Sequence, residues 1–233
     1  MKTFITILIS LFSSFLTFGQ QISLEEWNNE AITNKRLIPK YGYQIKNTKE
    51  KEADIDFIKT ALANDTTNRK ASNHLIQLGF DYIYKDLKTA MYRFNQAYLL
   101  DSTNSDIYWG FGGVYMTLGD FENAEKQYSI GLSINPNNTH LLTDYGTYFM
   151  TQYFELKNVS EKDAFINLDL AISNLMKSYN INPNDENTTY KLSICYWYKN
   201  DCKNALKYHD ECKLLGGKPI NVGYTKELMR KCN

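Results

Sequence analysis

Four cysteines are the side chains of this 233-residue sequence best suited to chemistry, and all of them lie near its C-terminal end: Cys195, Cys202, Cys212 and Cys232. In an oxidising compartment such cysteines form disulfides, whereas together with His209 they could bind a metal ion. His209 and Cys212 are one helical turn apart, which suits shared ligation, but the CxxC pairs typical of structural zinc sites are missing. We therefore predict no metal site, and a disulfide and buried free thiols are the two alternatives.

No motif of catalytic chemistry surrounds the three histidines, which fall in well-separated parts of the sequence: His74, His140 and His209. The sequence also lacks a Gly-rich phosphate loop, an HExxH metal motif and a GxSxG nucleophile elbow. The glycine run that begins at Gly110 lies within a stretch of helical periodicity, so it favours close packing rather than phosphate binding. We therefore predict that the protein is not an enzyme and uses no cofactor.

The helices that must position these side chains are most evident in residues 105–138. Aromatic residues recur there at steps of three and four, which places them on one stripe of a helix. Gly119-Asp120 breaks this helix and caps a second one. The second helix ends before Pro136, because proline disrupts a helix interior. The defining positions of the segment are Tyr108, Phe111, Gly112, Tyr115, Ala124, Tyr128 and Gly131.

This order and spacing resemble the tetratricopeptide repeat, a helix-turn-helix unit of about 34 residues. Further units with similar spacing occupy residues 72–104, 139–185 and 186–217. The resemblance implies an all-α fold, a right-handed α-solenoid of about four helix pairs with a capping helix at each end. It also implies that paired helices approach closely at small residues, which are Gly79, Ala90, Gly112, Ala124, Gly146, Ala171 and Ala205.

The third unit is longer than the repeat pattern. Phe149 and Ala171 lie about 13 residues farther apart than the corresponding residues of the second unit, with the excess around residues 152–165. Two placements are open at this stage. The insertion either extends the helix hairpin and changes the width of the concave face, or it decorates the convex side.

The two ends of a repeat array must each bury an apolar face and expose a polar one. Residues 50–71 are predicted to contain an N-terminal capping helix followed by a linker. The apolar face of that helix consists of Ile55, Ile58 and Leu62. We expect residues 20–49 to form an extended segment, and residues 218–233, after the Gly216-Gly217 break, to form a short C-terminal capping helix.

The predicted helices limit how the cysteines can pair. Cys202 and Cys212 are ten residues apart on one helix, or about 15 Å at 1.5 Å per residue, which is too far for a disulfide. If the C-terminal helix folds back on the helix that begins near Cys202, Cys232 falls opposite that helix start. We therefore favour a Cys202–Cys232 disulfide, with Cys195–Cys202 as the competing pair.

In the tetratricopeptide-repeat family the first helices of successive repeats line a concave surface. The resemblance therefore implies a groove that binds a peptide or protein. The residues expected to line it are Phe80, Tyr84, Trp109, Met116, Met150, Tyr190, Trp197 and Tyr198. An apolar, aromatic lining suits a peptide that docks through side-chain anchors. Relatives that hold the carboxylate tails of cytosolic chaperones use Lys, Asn and Arg at such positions. Ile76 and Phe80 occupy two of them here, so that activity is not transferred.

The N-terminal sequence predicts export. Lys2 precedes an apolar stretch, residues 4–18, that contains hydroxyl side chains and is shorter than the about 20 residues of a membrane span. Thr17 and Gly19 are small enough for a signal-peptidase site. We therefore predict a signal peptide over residues 1–19 and no membrane span after its removal. The bacterial periplasm is the expected location, with secretion or surface association as alternatives.

The overall charge argues against nucleic acids and anionic membranes as partners. Basic and acidic residues number 26 each, so the formal net charge is 0 at pH 7. Binding to nucleic acid or to an anionic membrane needs a basic surface, and we therefore expect neither.

Residues 37–43 and 108–112 are also similar to those of a recurring group of exported bacterial tetratricopeptide-repeat proteins of unassigned activity. The sequence thus predicts an exported, non-catalytic scaffold that binds a peptide or protein segment in an aromatic concave groove. The alternative is a structural subunit of an envelope-associated oligomer or complex, without an exchangeable ligand. The oligomeric state separates the two, because an adaptor with an open groove should be a monomer.

Overall fold

The computed structural model describes residues 22–232, so the signal peptide predicted over residues 1–19 lies outside the described residues. This part of the chain contains eleven α-helices and no β-strand. The helices are α1 (Leu24–Ala31), α2 (Thr48–Asn64), α3 (Asn68–Tyr82), α4 (Leu87–Leu100), α5 (Asp106–Leu118), α6 (Phe121–Ile134), α7 (Thr139–Leu156), α8 (Glu161–Ile181), α9 (Glu186–Tyr198), α10 (Cys202–Leu215) and α11 (Val222–Cys232). Helices α3 to α10 form four consecutive pairs, which confirms the predicted all-α solenoid.

In three of the four pairs, a glycine on the first helix faces a large side chain on the second. A Cβ atom added to any of these glycines would lie within 2.7 Å of the opposing side chain: Gly79 against Phe94, Gly112 against Tyr128, and Gly146 against Leu175. The alanines on the second helices are completely buried, at 0% exposure: Ala90, Ala124, Ala171 and Ala205. The small residues therefore lie where the helices cross.

Successive pairs are also joined to one another. Phe94 faces Gly79 in its own pair, and a Cβ atom at Gly110 of the next pair would lie 2.3 Å from its Cδ1 atom. Two buried asparagines add polar links between pairs. The side-chain amide of Asn104 donates to Ser72 Oγ at 3.0 Å, and that of Asn138 donates to Ser105 Oγ at 2.8 Å. The array therefore has one continuous core.

The insertion in the third unit lengthens the helix hairpin. Helices α7 and α8 have 18 and 21 residues, whereas α5 and α6 have 13 and 14. Near the tip of the hairpin, Tyr153 and Phe154 contact the ring of Tyr198 on α9. The insertion therefore packs against the fourth pair, and the alternative of a convex decoration is wrong.

The segment from residue 22 to residue 47 is not extended, contrary to the prediction for residues 20–49. It contains α1 and two short 3-10 segments, Lys35–Leu37 and Pro39–Tyr43. It folds along α4 because Trp27 and Leu37 are buried there, at 1% and 0% exposure. The apolar side chains that anchor it are too widely spaced to show a helical or strand period.

The predicted N-terminal capping helix is present as α2, and of the predicted apolar face Ile58 packs against the core while Ile55 and Leu62 do not. Ile55 is 63% exposed and Leu62 is 37% exposed, whereas Phe57, Ile58 and Ala61 pack against the core. The first helix of the array also begins at Asn68, within the stretch predicted as a linker.

The C-terminal helix α11 seals the fourth pair. A disulfide joins Cys202 to Cys232, the pairing that the sequence favours. Leu228 is buried, and the hydroxyl groups of Tyr224 and Ser193 lie 2.7 Å apart. Cys195 and Cys212 are free buried thiols, and burial raises the pKa of Cys195 to about 12. Such a thiol is inert, so Cys195 serves packing.

We expect Gly112→Ala to lower the free energy of unfolding by about 1–2 kcal/mol, because overpacking against Tyr128 exceeds the gain in helix propensity. Gly113→Ala is the matched control, since its Cβ atom would meet the terminal methyl of Ile83 at 3.1 Å. Urea unfolding of the two variants measures the difference. Equal stabilities would contradict the close approach at Gly112.

We expect Cys202→Ser with Cys232→Ser to lower the free energy of unfolding by up to about 4 kcal/mol, because the bridge closes a loop of 30 residues. Urea unfolding under oxidising conditions measures this loss. A reductant should destabilise the parent chain and leave the double variant unchanged. A parent insensitive to reductant would argue against the disulfide.

Candidate binding site on the concave face

The first helices of the four pairs, α3, α5, α7 and α9, touch one another in order and form one face of the array. Their contact follows from the solenoid, because each pair places its first helix beside the first helix of the next. This face is the one on which binding residues were predicted.

Three rings from three helices stack at the centre of this face. The ring centres of Phe80 and Trp109 are 3.8 Å apart, and those of Trp109 and His140 are 4.3 Å apart at an interplanar angle of 17°. We call Phe80, Trp109 and His140 the concave stack. Trp109 therefore contacts a ring from each neighbouring repeat, and the half-buried indole also lines the cavity beside the stack.

The edge of the same indole is held by a charged pair. Trp109 Nε1 donates a hydrogen bond of 2.6 Å to Oδ2 of Asp144. The other carboxylate oxygen of Asp144 lies 3.6 Å from Nζ of Lys191. Helices α5, α7 and α9 are thus connected by side chains across the concave face, so the geometry of this region is fixed.

Beside the stack lies an open cavity of about 570 Å³. It is lined by Trp109, Thr139, His140, Thr143, Asp144, Asn182, Asn184, Asp185, Asn187 and Lys191. Amide and carboxylate groups dominate the lining, in contrast to the aromatic lining that was predicted. The amides can both donate hydrogen bonds to and accept them from the backbone of an extended peptide, and the carboxylates can accept them.

His140 is the ionisable ring of this site. Its Nδ1 atom lies 3.6 Å from Oδ1 of Asp106, and its side chain is 57% exposed. The contact with Asp106 raises the pKa of His140, and Asp144 and Asp185 act in the same direction, against the opposing effect of burial. Burial by itself would raise the pKa of Asp106, but the contacts with His140 and Asn138 outweigh it and lower that pKa.

The predicted binding residues do not form one lining. Phe80 and Trp109 belong to the concave stack, but Tyr84 lies on the turn after α3 and is 81% exposed. Met116 is half-buried against the core, and Met150 is buried. Met150 therefore belongs to the core of the array and does not lie on its surface.

The remaining three predicted residues lie under the end of the array. The Tyr190 hydroxyl accepts a hydrogen bond of 3.1 Å from the backbone N–H of Asn221, and Lys231 Nζ lies 4.7 Å from the centre of the Trp197 ring. Tyr198 packs against the lengthened hairpin. All three residues are half-buried, and Trp197 and Tyr198 also line a further open cavity of about 380 Å³ near the tip of the hairpin.

The family rule for the concave surface also gives His140, Thr143 and Lys191, which line the cavity, but Asp144 and the asparagines were missed in the sequence. Asp144 follows His140 by four residues, so helical spacing could have placed it on the same face. Asn182 and Asn184 belong to the turn between α8 and α9, where asparagine is expected for local reasons. No sequence signal distinguishes such turn residues from residues that line a site.

Two other kinds of site are missing from the described part of the chain. Residues 22–232 contain no group of three or more His, Cys, Asp or Glu side chains that could hold a metal ion. No helix in the same residues is both long and apolar enough to cross a membrane.

We expect Asp106→Asn to lower the pKa of His140, because the carboxylate that favours the imidazolium is removed while burial remains. The interaction contributes stability below the ordinary histidine pKa and loses it as the pH rises through the raised value. NMR titration of the His140 ring measures the shift. The control is Asp56→Asn on α2, and an unchanged pKa in Asp106→Asn would contradict the assigned contact.

No protein-family model matches the chain, and no curated protein matches it. Solved structures do. TTC0263, a thermophilic TPR protein of Thermus thermophilus, is 14% identical with a TM-score of 0.55, over 63% of this chain and 75% of that one. MamA is 18% identical with a TM-score of 0.47, over 76% of this chain and 98% of that one. YrrB, a TPR protein with an unusual peptide-binding site, is 18% identical with a TM-score of 0.33, over 69% of this chain and 92% of that one.

The superposition on TTC0263 agrees with the repeat pattern of the sequence and with the consecutive helix pairs of the structure. The glycines that face large side chains explain why these helices pair as they do. The chain therefore has the tetratricopeptide-repeat fold.

Proposed function

We propose that this protein is an exported, non-catalytic scaffold that binds a peptide or protein segment on its concave face. The observation that carries the proposal is the open cavity beside the concave stack, which is lined by four residue types able to form hydrogen bonds with a peptide backbone, namely Asn, Asp, Thr and Lys. The similarity to tetratricopeptide-repeat structures supports a protein-interaction role in general.

The rigidity of the site also supports recognition of a segment. The Trp109–Asp144–Lys191 connection holds three repeats in one arrangement before any ligand arrives. A preorganised surface loses less conformational entropy on binding than a mobile one. The cavity therefore suits an extended segment that adapts to it, and no nucleic acid is expected because the chain has no excess of basic residues.

Export is supported by the N-terminal sequence and agrees with the disulfide. Disulfides persist mainly in oxidising compartments such as the bacterial periplasm, and the chain contains a Cys202–Cys232 bridge. The periplasm is the proposed location.

A structural subunit is the second candidate function. It is favoured by apolar side chains near the N-terminal end of the array, where Ile45 is 94% exposed and Ile55 is 63% exposed. A permanent oligomer would bury them. Sedimentation of the isolated chain distinguishes the candidates, because a scaffold with an open concave face sediments as a monomer.

The scaffold proposal is tested by crosslinking in the intact cell envelope followed by affinity capture. Asn184→Arg with Asn187→Arg introduces bulk into the cavity at two exposed positions. We expect this double variant to lose its captured partner by at least about tenfold, which corresponds to about 1.4 kcal/mol.

The matched control is Asn137→Arg with Asn64→Arg, which adds the same charge at exposed positions outside the cavity. Asn137 follows Pro136 as Asn184 follows Pro183, so the turns are equivalent. The control should retain the partner. Equal capture of the partner by the parent, the cavity variant and the control would contradict binding on the concave face. Recovery of the chain alone would favour the structural subunit.

A further inference from the structure

A second cavity lies away from the concave face, between the N-terminal segment, α2 and α4. Its volume is about 350 Å³. It is lined by Lys35, Arg36, Tyr41, Gln44, Ile45, Lys46, Glu50, Ala53, Asp54, Phe57, Gln96 and Leu99. None of these residues lines the concave cavity, so the two sites are separate.

The wall contributed by α2 is a regular stripe. Glu50, Ala53, Asp54 and Phe57 recur at steps of three and four, so they share one face of the helix. Phe57 also packs against the core, and Leu99 of α4 lines the same cavity. Aromatic and aliphatic groups from two helices therefore contribute to the cavity wall.

The third wall is a left-handed turn. Lys40, Tyr41, Gly42 and Tyr43 all have positive φ, between 56° and 69°. This conformation is unfavourable for a residue with a Cβ atom, and it clusters at ligand sites, where the surrounding structure enforces it. Here it places the Tyr41 ring in the cavity wall.

A buried asparagine enforces that turn. Asn95 is 0% exposed, and its Oδ1 atom accepts a hydrogen bond of 2.6 Å from the backbone N–H of Lys40. Its Nδ2 group donates to the backbone carbonyl oxygens of Arg36 and Ile38 at 2.9 and 3.1 Å. One side chain of the array thus holds the N-terminal segment in the shape that forms the cavity.

The charges of the lining do not balance. Asp54 is paired with Lys46 at 2.5 Å, and Glu50 accepts a hydrogen bond of 2.8 Å from the backbone N–H of Asn47. Lys35 and Arg36 are exposed and have no carboxylate partner among residues 22–232, although the Arg36 guanidinium lies 3.7 Å from the centre of the Tyr92 ring. The lining thus contains three basic and two acidic side chains, and the excess positive charge belongs to Lys35 and Arg36.

We propose that this cavity binds a small amphipathic carboxylate, an aliphatic monocarboxylic acid. Its chain lies between Phe57 and Leu99, and its carboxylate meets Lys35 and Arg36. The apolar walls disfavour a compact, strongly hydrated anion such as phosphate, and the excess positive charge disfavours a cation. The proposal goes beyond the scaffold function and does not depend on it.

The test is isothermal titration of a chain spanning residues 20–233 with octanoate, and with octan-1-ol as the neutral counterpart. We expect saturable binding of one octanoate, with the alcohol weaker by at least about tenfold because it lacks the charge. Lys35→Gln with Arg36→Gln should weaken octanoate binding to a similar extent.

A cavity-filling variant locates the site. Ala53→Trp places a ring in the cavity from an exposed position of α2 and should abolish octanoate binding, whereas Ala63→Trp, exposed on the same helix outside the lining, should leave it unchanged. Circular dichroism checks that both variants are folded. Absence of octanoate binding at millimolar concentration, equal binding of the alcohol, or undiminished binding by Ala53→Trp would each overturn the proposal.

Discussion

The close approach of a glycine on one helix to a large side chain on its partner is the constraint on which the rest of the structure depends. At Gly79, Gly112 and Gly146 the opposing side chain occupies the volume that a Cβ atom would need. Protein interiors are packed too densely to absorb such an atom without displacement. The distance between the helices of these three pairs is therefore set by these residues, and with it the positions of α3, α5 and α7 on the concave face.

The concave stack shows how a fixed helix spacing becomes a fixed surface. Phe80, Trp109 and His140 lie on three different repeats, and their rings meet because the helices that carry them are held at a constant separation. Aromatic pairs of this kind add to stability beyond the area they bury. The Trp109 indole, which sequence reasoning assigned to ligand binding, joins neighbouring repeats and also lines the cavity together with polar side chains.

The sequence predicted most of the fold and little of the site. The four helix pairs follow from the spacing of small and aromatic residues, because that spacing is itself the packing. The N-terminal segment was not predicted, since its two short 3-10 segments contact α4 across a long sequence separation. The cavity residues Asn182 and Asn184 were missed because turn chemistry alone accounts for asparagine there. The N-terminal segment and the cavity both depend on contacts between residues far apart in the sequence, and local sequence patterns carry no information on such contacts.

Phe94 has a consequence for the modularity of this array. Its ring is enclosed by Gly79 of its own repeat and by Gly110 of the next one. A fragment cut at the repeat boundary after residue 104 would expose that ring on one side and lose the wall that completes its pocket. A fragment that keeps Phe94 enclosed must therefore include α5, so the packing unit around this ring overlaps two sequence repeats. Recombination between such proteins would be tolerated within a helix pair more readily than at the borders that the sequence repeat suggests.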